Sequence, residues 1–261
     1  MGAMSTAALF TALVDDAGLF PPTSLHMSEA LARHRRDQEH GGPVLTHRFL
    51  CPADRIDALR REEFTPRRIG LILHTPEPPP FDDLPVDIIE AVLPSDTSVG
   101  AFARQLASRV PHGVRLFVEV PPHRVGGDVP EGVGLKVRCG GATAEAFPPV
   151  EHLAAFIRSC AEQEIPFKAT AGLHHAVRHF DPALGTDRHG FLNLVLAVCE
   201  AVERRDPAQV LRTTDATRLV ALARTVPPET AKHARELLVS YGSCNTAAPL
   251  ADLRELGLIP E

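Results

Sequence analysis

The chain has 261 residues, 44% of them apolar and 23% charged, enough for one large domain or two small ones with a sizeable core. A net charge of -6 excludes a nucleic-acid footprint, since no basic stripe accompanies it; "RHRRDQEH" interleaves acids and reads as a solvated helix face. Five cysteines without CxxC spacing read as reduced thiols, and no signal peptide or membrane-length apolar run is evident, so the chain is expected to be cytoplasmic.

Short β-branched runs alternate with helical patterns, as in a chain that builds parallel strands. Met1-Gly2-Ala3 ahead of Met4 is set aside, and residues 4–261 are read as one domain. In chain order the expected strands are 11–15 (TALVD), 43–50 (PVLTHRFL), 68–74 (RIGLILH), 86–93 (VDIIEAVL), 114–120 (VRLFVEV), 133–139 (VGLKVRC), 166–171 (PFKATA) and 237–242 (LLVSYG). Eight strands over this length predict a closed (β/α)8 barrel, with a doubly wound open sheet as the alternative. Helices are expected over "MSEALARHRRDQ", over "PADRIDALRREE" with a first-turn proline, and over "SDTSVGAFARQLASRV" with Asp96 or Thr97 as N-cap. In "PVEHLAAFIRSCAEQE", Val150, Leu153, Ile157 and Cys160 recur at helical spacing. "TPEPPPFDDLP" and "PPHRVGGDVPEG" are too rich in proline and glycine for helices, so strands three and five lack covering helices. The uncovered surface suggests a homodimer. Residues 176–236 are too long for one crossover and read as a helical elaboration over the top or side of the barrel.

Two lysines carry the functional signal. Alternation puts Lys136 and Arg138 on one strand face, and Lys168 and Thr170 on the same face of the next strand. The apolar partners Leu135, Val137, Phe167 and Ala169 must meet helices, so both lysines turn inward, roughly 5–7 Å apart. Both precede glycines and so stand near the carboxyl ends of their strands, where barrel enzymes keep their active sites. Desolvation and a like-charged neighbour would lower the pKa of such a lysine, and a neutral amine can form a Schiff base. Anion binding and buried ion pairing are the other readings.

These runs resemble the 2-deoxyribose-5-phosphate aldolase group of class I aldolases. "GLKVRCGG" is similar to the sixth strand, which carries the Schiff-base lysine, and "FKATAG" to the seventh. "VDIIEAVLP", "VRLFVEV" and "YGSCN" are similar to the fourth, fifth and eighth. The resemblance implies a (β/α)8 lyase in which Lys136 is the nucleophile and Lys168 lowers its pKa. It also implies that Asp87 is the fourth-strand acid. Arg138 and Cys139 stand where that group has serine and threonine, and the insertion after the seventh strand is unlike it.

Proton transfer needs inward acids: Asp87 or Glu90, which share a face only if the strand bulges, then Glu119 and Asp15 or Asp16. For Glu119 the competing reading is a salt bridge to Lys136 or Arg138. His174, His175 and Asn193 are candidates to line the barrel mouth, and Gly242 and Ser243 to cradle, with Arg138, the anionic end of a substrate. Cys244 reads as an inert thiol. No nucleotide-binding motif occurs and no cofactor is expected. A metal hydrolase would need His74, Glu119, His174 and His175 to converge. The sequence is expected to encode a lyase acting on a small, anionic carbonyl compound. A metal-dependent lyase or hydrolase and a non-catalytic scaffold are the alternatives.

Overall fold

The computed structural model describes residues 7–40, 42–124 and 128–260, so Met1-Gly2-Ala3 and the centre of the 121–132 loop lie outside the described residues. Eight parallel strands close into a barrel. They are β1 (Val14–Asp16), β2 (Leu45–Pro52), β3 (Ile69–Leu73), β4 (Val86–Val92), β5 (Arg115–Val120), β6 (Val133–Arg138), β7 (Phe167–Thr170) and β10 (Leu238–Ser243). β1 closes the ring by pairing with β10 on one side and β2 on the other. The fold is a TIM-type (β/α)8 barrel.

After the short helical stretch at 7–10, the longer helices described are α1 (Met27–His40), α2 (Ile56–Arg60), α3 (Val99–Ala107), α4 (Val150–Glu162), α5 (Phe191–Val202), α6 (Ala208–Arg212), α7 (Ala216–Thr225), α8 (Pro228–Leu237) and α9 (Ala247–Glu255). α3 is capped by Ser98, whose hydroxyl accepts from the Ala101 amide; the cap is neither Asp96 nor Thr97. α4 buries Val150, Leu153, Ile157 and Cys160 as the spacing predicts, and its Phe156 meets Phe167 of β7 edge-on at 5.3 Å. The proline-rich segment between β3 and β4 contains no helix, and the one after β5 has only a 3-10 turn at Pro122–Arg124 among its described residues.

The elaboration differs from the sequence reading in one respect. It opens with an antiparallel hairpin, β8 (His179–Asp181) and β9 (Thr186–Arg188), before its four helices. These strands are three residues long and mostly polar, too short for an alternation signal. α5 is apolar all round because it is sandwiched: Phe191 stacks on Tyr241 of β10 at 5.6 Å, and α8 and α7 cover its other side.

Two irregularities decide what points into the barrel. β2 shifts register against β1 between Val14 and Asp16, and His47 at the shift has φ 54°. Thr46 and Arg48, two residues apart and so on one strand face across this shift, both donate to the inward carboxylate of Asp15. β4 shifts against β3 between Ile69 and Gly70, leaving Asp87 unpaired in that ladder.

Candidate active site

Lys136 and Lys168 are direct partners in the β6–β7 ladder, so their side chains enter the barrel side by side. Both are buried. Glu90 of β4 lies between them, with Oε2 at 2.7 Å from Lys136 Nζ and Oε1 at 2.8 Å from Lys168 Nζ. Lys136 also meets Glu119 Oε2 at 2.9 Å, and Glu119 Oε1 accepts from Arg138 Nε at 2.9 Å. On the other side Lys168 pairs with Asp15, which also accepts from Ser240, Thr46 and Arg48. Arg48 reaches on to Asp87, and Asp87 to Arg68.

The result is a single file of alternating charge through the barrel: Arg68, Asp87, Arg48, Asp15, Lys168, Glu90, Lys136, Glu119, Arg138. Its six central members, Arg48 to Glu119, are buried and neutral in sum. An ion in such a place costs several kcal/mol to desolvate, so each persists only because its neighbours on both sides carry the opposite sign.

The electrostatics follow. Burial alone would raise the Glu90 carboxyl, but Lys136 and Lys168 outweigh it and hold the group down at about 2. Burial opposes ionisation of Asp15 and Glu119 too, and again the adjacent cations win and hold both below the usual carboxylate range. For Lys136 burial favours the neutral amine, yet Glu90 and Glu119 prevail and raise its pKa. This corrects the lowered value expected from the sequence. Like-charge repulsion from Lys168 is offset by the carboxylate seated between them.

The acids distribute differently from the sequence reading. Glu90, not Asp87, is the β4 acid at the lysines. Asp87 sits at the register shift and salt-bridges Arg48 and Arg68 instead. Asp15 is the inward acid of β1. Asp16 points to the opposite face, where it binds Arg33, His34 and the Gly18 amide. Glu119 makes both ion pairs weighed for it. Thr46, Arg48 and Ser240 are inward residues that the sequence reading did not single out, although Thr46 and Arg48 share a strand face by simple alternation.

The remaining candidates separate. Thr170 and Gly242 share the barrel lumen, where a Cβ on Gly242 would lie 3.1 Å from Leu50 Cδ1 and 3.8 Å from Thr170 Oγ1. Ser243 spends its hydroxyl on the Asn245 carbonyl, closing its own turn. Asn193 does not line the mouth: it is fully buried, accepting from the Arg178 amide and donating to the Val210 and Thr213 carbonyls. His175 is exposed beside Asp252, and His174 Nδ1 lies 3.9 Å from Cys244 Sγ. Among the described residues no group of three His, Cys, Asp or Glu is arranged to hold a metal ion. Nor is any helix among them long and apolar enough to cross a membrane.

At the strand carboxyl ends, Ala17, Leu50 and Ile72 form an apolar plug on the β1–β3 side, with Phe20 against it. A cleft of about 440 Å³ opens instead beyond β4, β5 and β6, lined by Glu119, Arg138, His123, His152 and apolar residues including Leu93 and Val120. Lys136 stands directly behind Glu119, one contact from this cleft. No model of a known protein family matches the chain, and no curated protein matches it by sequence.

Proposed function

We propose that the protein is a lyase of the class I aldolase type, acting through a Schiff base at Lys136 on a small anionic carbonyl compound. The observation that carries this reading is the pair of lysines registered side by side at the carboxyl half of the barrel, with a carboxylate between them and a cleft beyond one of them.

Lys136 rests as an ammonium, so the first step is loss of a proton to Glu119 Oε2, 2.9 Å away. At ordinary pKa values this transfer costs about 8 kcal/mol, and the ion pairing that raises Lys136 and lowers Glu119 adds to it, so a substrate must loosen these pairs before the amine is freed. The free amine attacks the carbonyl carbon, and Glu119 returns the proton to the departing hydroxyl, releasing water and leaving a protonated imine. That imine accepts the electron pair of the substrate's Cα–Cβ bond as it breaks, giving an enamine that is then protonated at Cα and hydrolysed by water to free the second product and the lysine. Glu90 or Glu119 accepts the proton of the substrate hydroxyl during cleavage. Lys168 remains charged, held by Asp15 and Glu90, and fixes Glu90 between the two lysines. Arg138 holds the substrate's anionic end.

The raised pKa of Lys136 favours a second reading, a barrel that binds an anion without covalent chemistry. Borohydride reduction in the presence of aldehydes and ketones separates the two. A mass increment on wild type that is missing from Lys136→Arg supports the lyase. Saturable anion binding with no increment for any carbonyl supports the second.

A further inference from the structure

We infer that the cleft beside Lys136 seats a carboxylate, and that the substrate is a short oxo acid with its carbonyl one or two carbons from that group. This rests on the Schiff-base reading above and narrows it to a substrate class.

The charge file supplies the first reason. Its buried centre is neutral, and its cleft end terminates in Arg138, whose side chain is 50% exposed. Arg138 gives only Nε to Glu119, and neither terminal guanidinium nitrogen has a partner among the described residues. Among the described residues, Arg138 is the one cationic side chain lining the cleft, whose acids are Glu119 and Glu145, and its two unpartnered terminal nitrogens make a planar fork that one carboxylate matches bidentately. A phosphate dianion brings twice the charge. The cleft offers no lysine and no second arginine to meet it.

Spacing supplies the second reason. Lys136 Nζ and Arg138 Nε are near enough for the single carboxylate of Glu119 to bridge them, at 2.9 Å to each. A substrate carboxylate on the same guanidinium brings its carbonyl to Lys136 by displacing Glu119 from between them, which the short Lys136–Glu119–Arg138 spacing suits to a carbonyl close to the carboxylate. His123 and His152, with ring centroids 6.0 Å apart, stand at the cleft wall where the far end of a longer oxo acid would lie.

The test compares borohydride trapping by pyruvate, 2-oxobutanoate and acetoacetate with trapping by acetaldehyde, acetone and dihydroxyacetone phosphate, in wild type, Arg138→Gln and Lys136→Arg. Binding of pyruvate without reductant is followed in parallel by titration calorimetry. Oxo acids are expected to trap at the lowest concentrations, and Arg138→Gln is expected to raise the half-saturating pyruvate concentration roughly ten-fold or more. Neutral or phosphorylated carbonyls that trap as well as oxo acids would overturn the carboxylate seat and leave the Schiff base standing, as would an unchanged pyruvate response in Arg138→Gln. Pyruvate binding that depends on Arg138 but gives no adduct would retain the seat and remove the Schiff base. Neither binding nor an adduct would end both.

Discussion

Glu90→Gln isolates the most heavily used charge in the barrel while keeping its shape. Glu90 is 1% exposed and touches both lysines, so the substitution leaves Arg48, Lys168 and Lys136 facing only Asp15 and Glu119, one buried positive charge in excess. A carboxyl held at about 2 rather than the usual 4.5 contributes about 3 kcal/mol at neutral pH. For a chain of this size that corresponds to a melting temperature lower by roughly 6–12 °C. The sign with pH is fixed. Because the folded pKa lies below the unfolded one, the contribution is complete above about pH 4.5 and disappears as pH falls toward 2. Thermal melts of wild type and Glu90→Gln at pH 7, 5, 4 and 3 should therefore show a constant gap that closes on acidification. A gap under about 2 °C at pH 7, or one that widens below pH 4.5, would refute the claim that Glu90 is ionised between two charged lysines.

Three further outcomes are expected. Asp16→Asn weakens the contacts to Arg33, His34 and the Gly18 amide; it should cost about 1–3 kcal/mol in denaturant unfolding yet leave Lys136-dependent trapping intact, which a catalytic Asp16 would not allow. Gly172→Ala should lower stability by at least about 1–3 kcal/mol, because φ is +74° there and a Cβ would come within 2.8 Å of the Gly140 Cα and 2.9 Å of the Cys139 carbonyl; an unchanged melting temperature would contradict this packing. Burial pushes the Cys51 and Cys139 thiols up to about 12, so iodoacetamide at pH 8 should leave both unmodified in folded protein, while five labels appear per chain in denaturant.

The eight strands were legible because every barrel strand is backed by a helix or loop on one side and meets the lumen on the other, which produces the short β-branched runs that the sequence displays. The predicted runs 68–74, 114–120 and 133–139 lie within a residue of Ile69–Leu73, Arg115–Val120 and Val133–Arg138 at each end. The lysine pair was legible for the same reason, from the alternation with Leu135, Val137, Phe167 and Ala169. Arg48 shares a strand face with Thr46 and Leu50, but nothing local shows that this polar face turns inward; the β4 acid was assigned to Asp87 from the family resemblance, and alternation cannot show which of two acids lies level with a lysine two strands away. The pKa of Lys136 was misjudged for a related reason. Its two nearest carboxylates come from β4 and β5, and their approach is a property of the closed ring. The hairpin β8–β9 was missed because two three-residue strands, polar except for Phe180, carry no periodic signal.

The single file of charges also bears on how this barrel closes correctly. A (β/α)8 lumen is ordinarily filled by layers of branched aliphatic side chains, and a one-residue slip in any strand turns its inward set outward. Here a slip of one residue in β7 would exchange Lys168 with Phe167, driving an ammonium against Phe156 of α4 and stranding Asp15 and Glu90 inside without it. Each stranded ion costs several kcal/mol, a penalty comparable with the whole stability of a typical domain. The ion file thus works as a combination lock, admitting only the strand alignment in which every tooth meets its opposite.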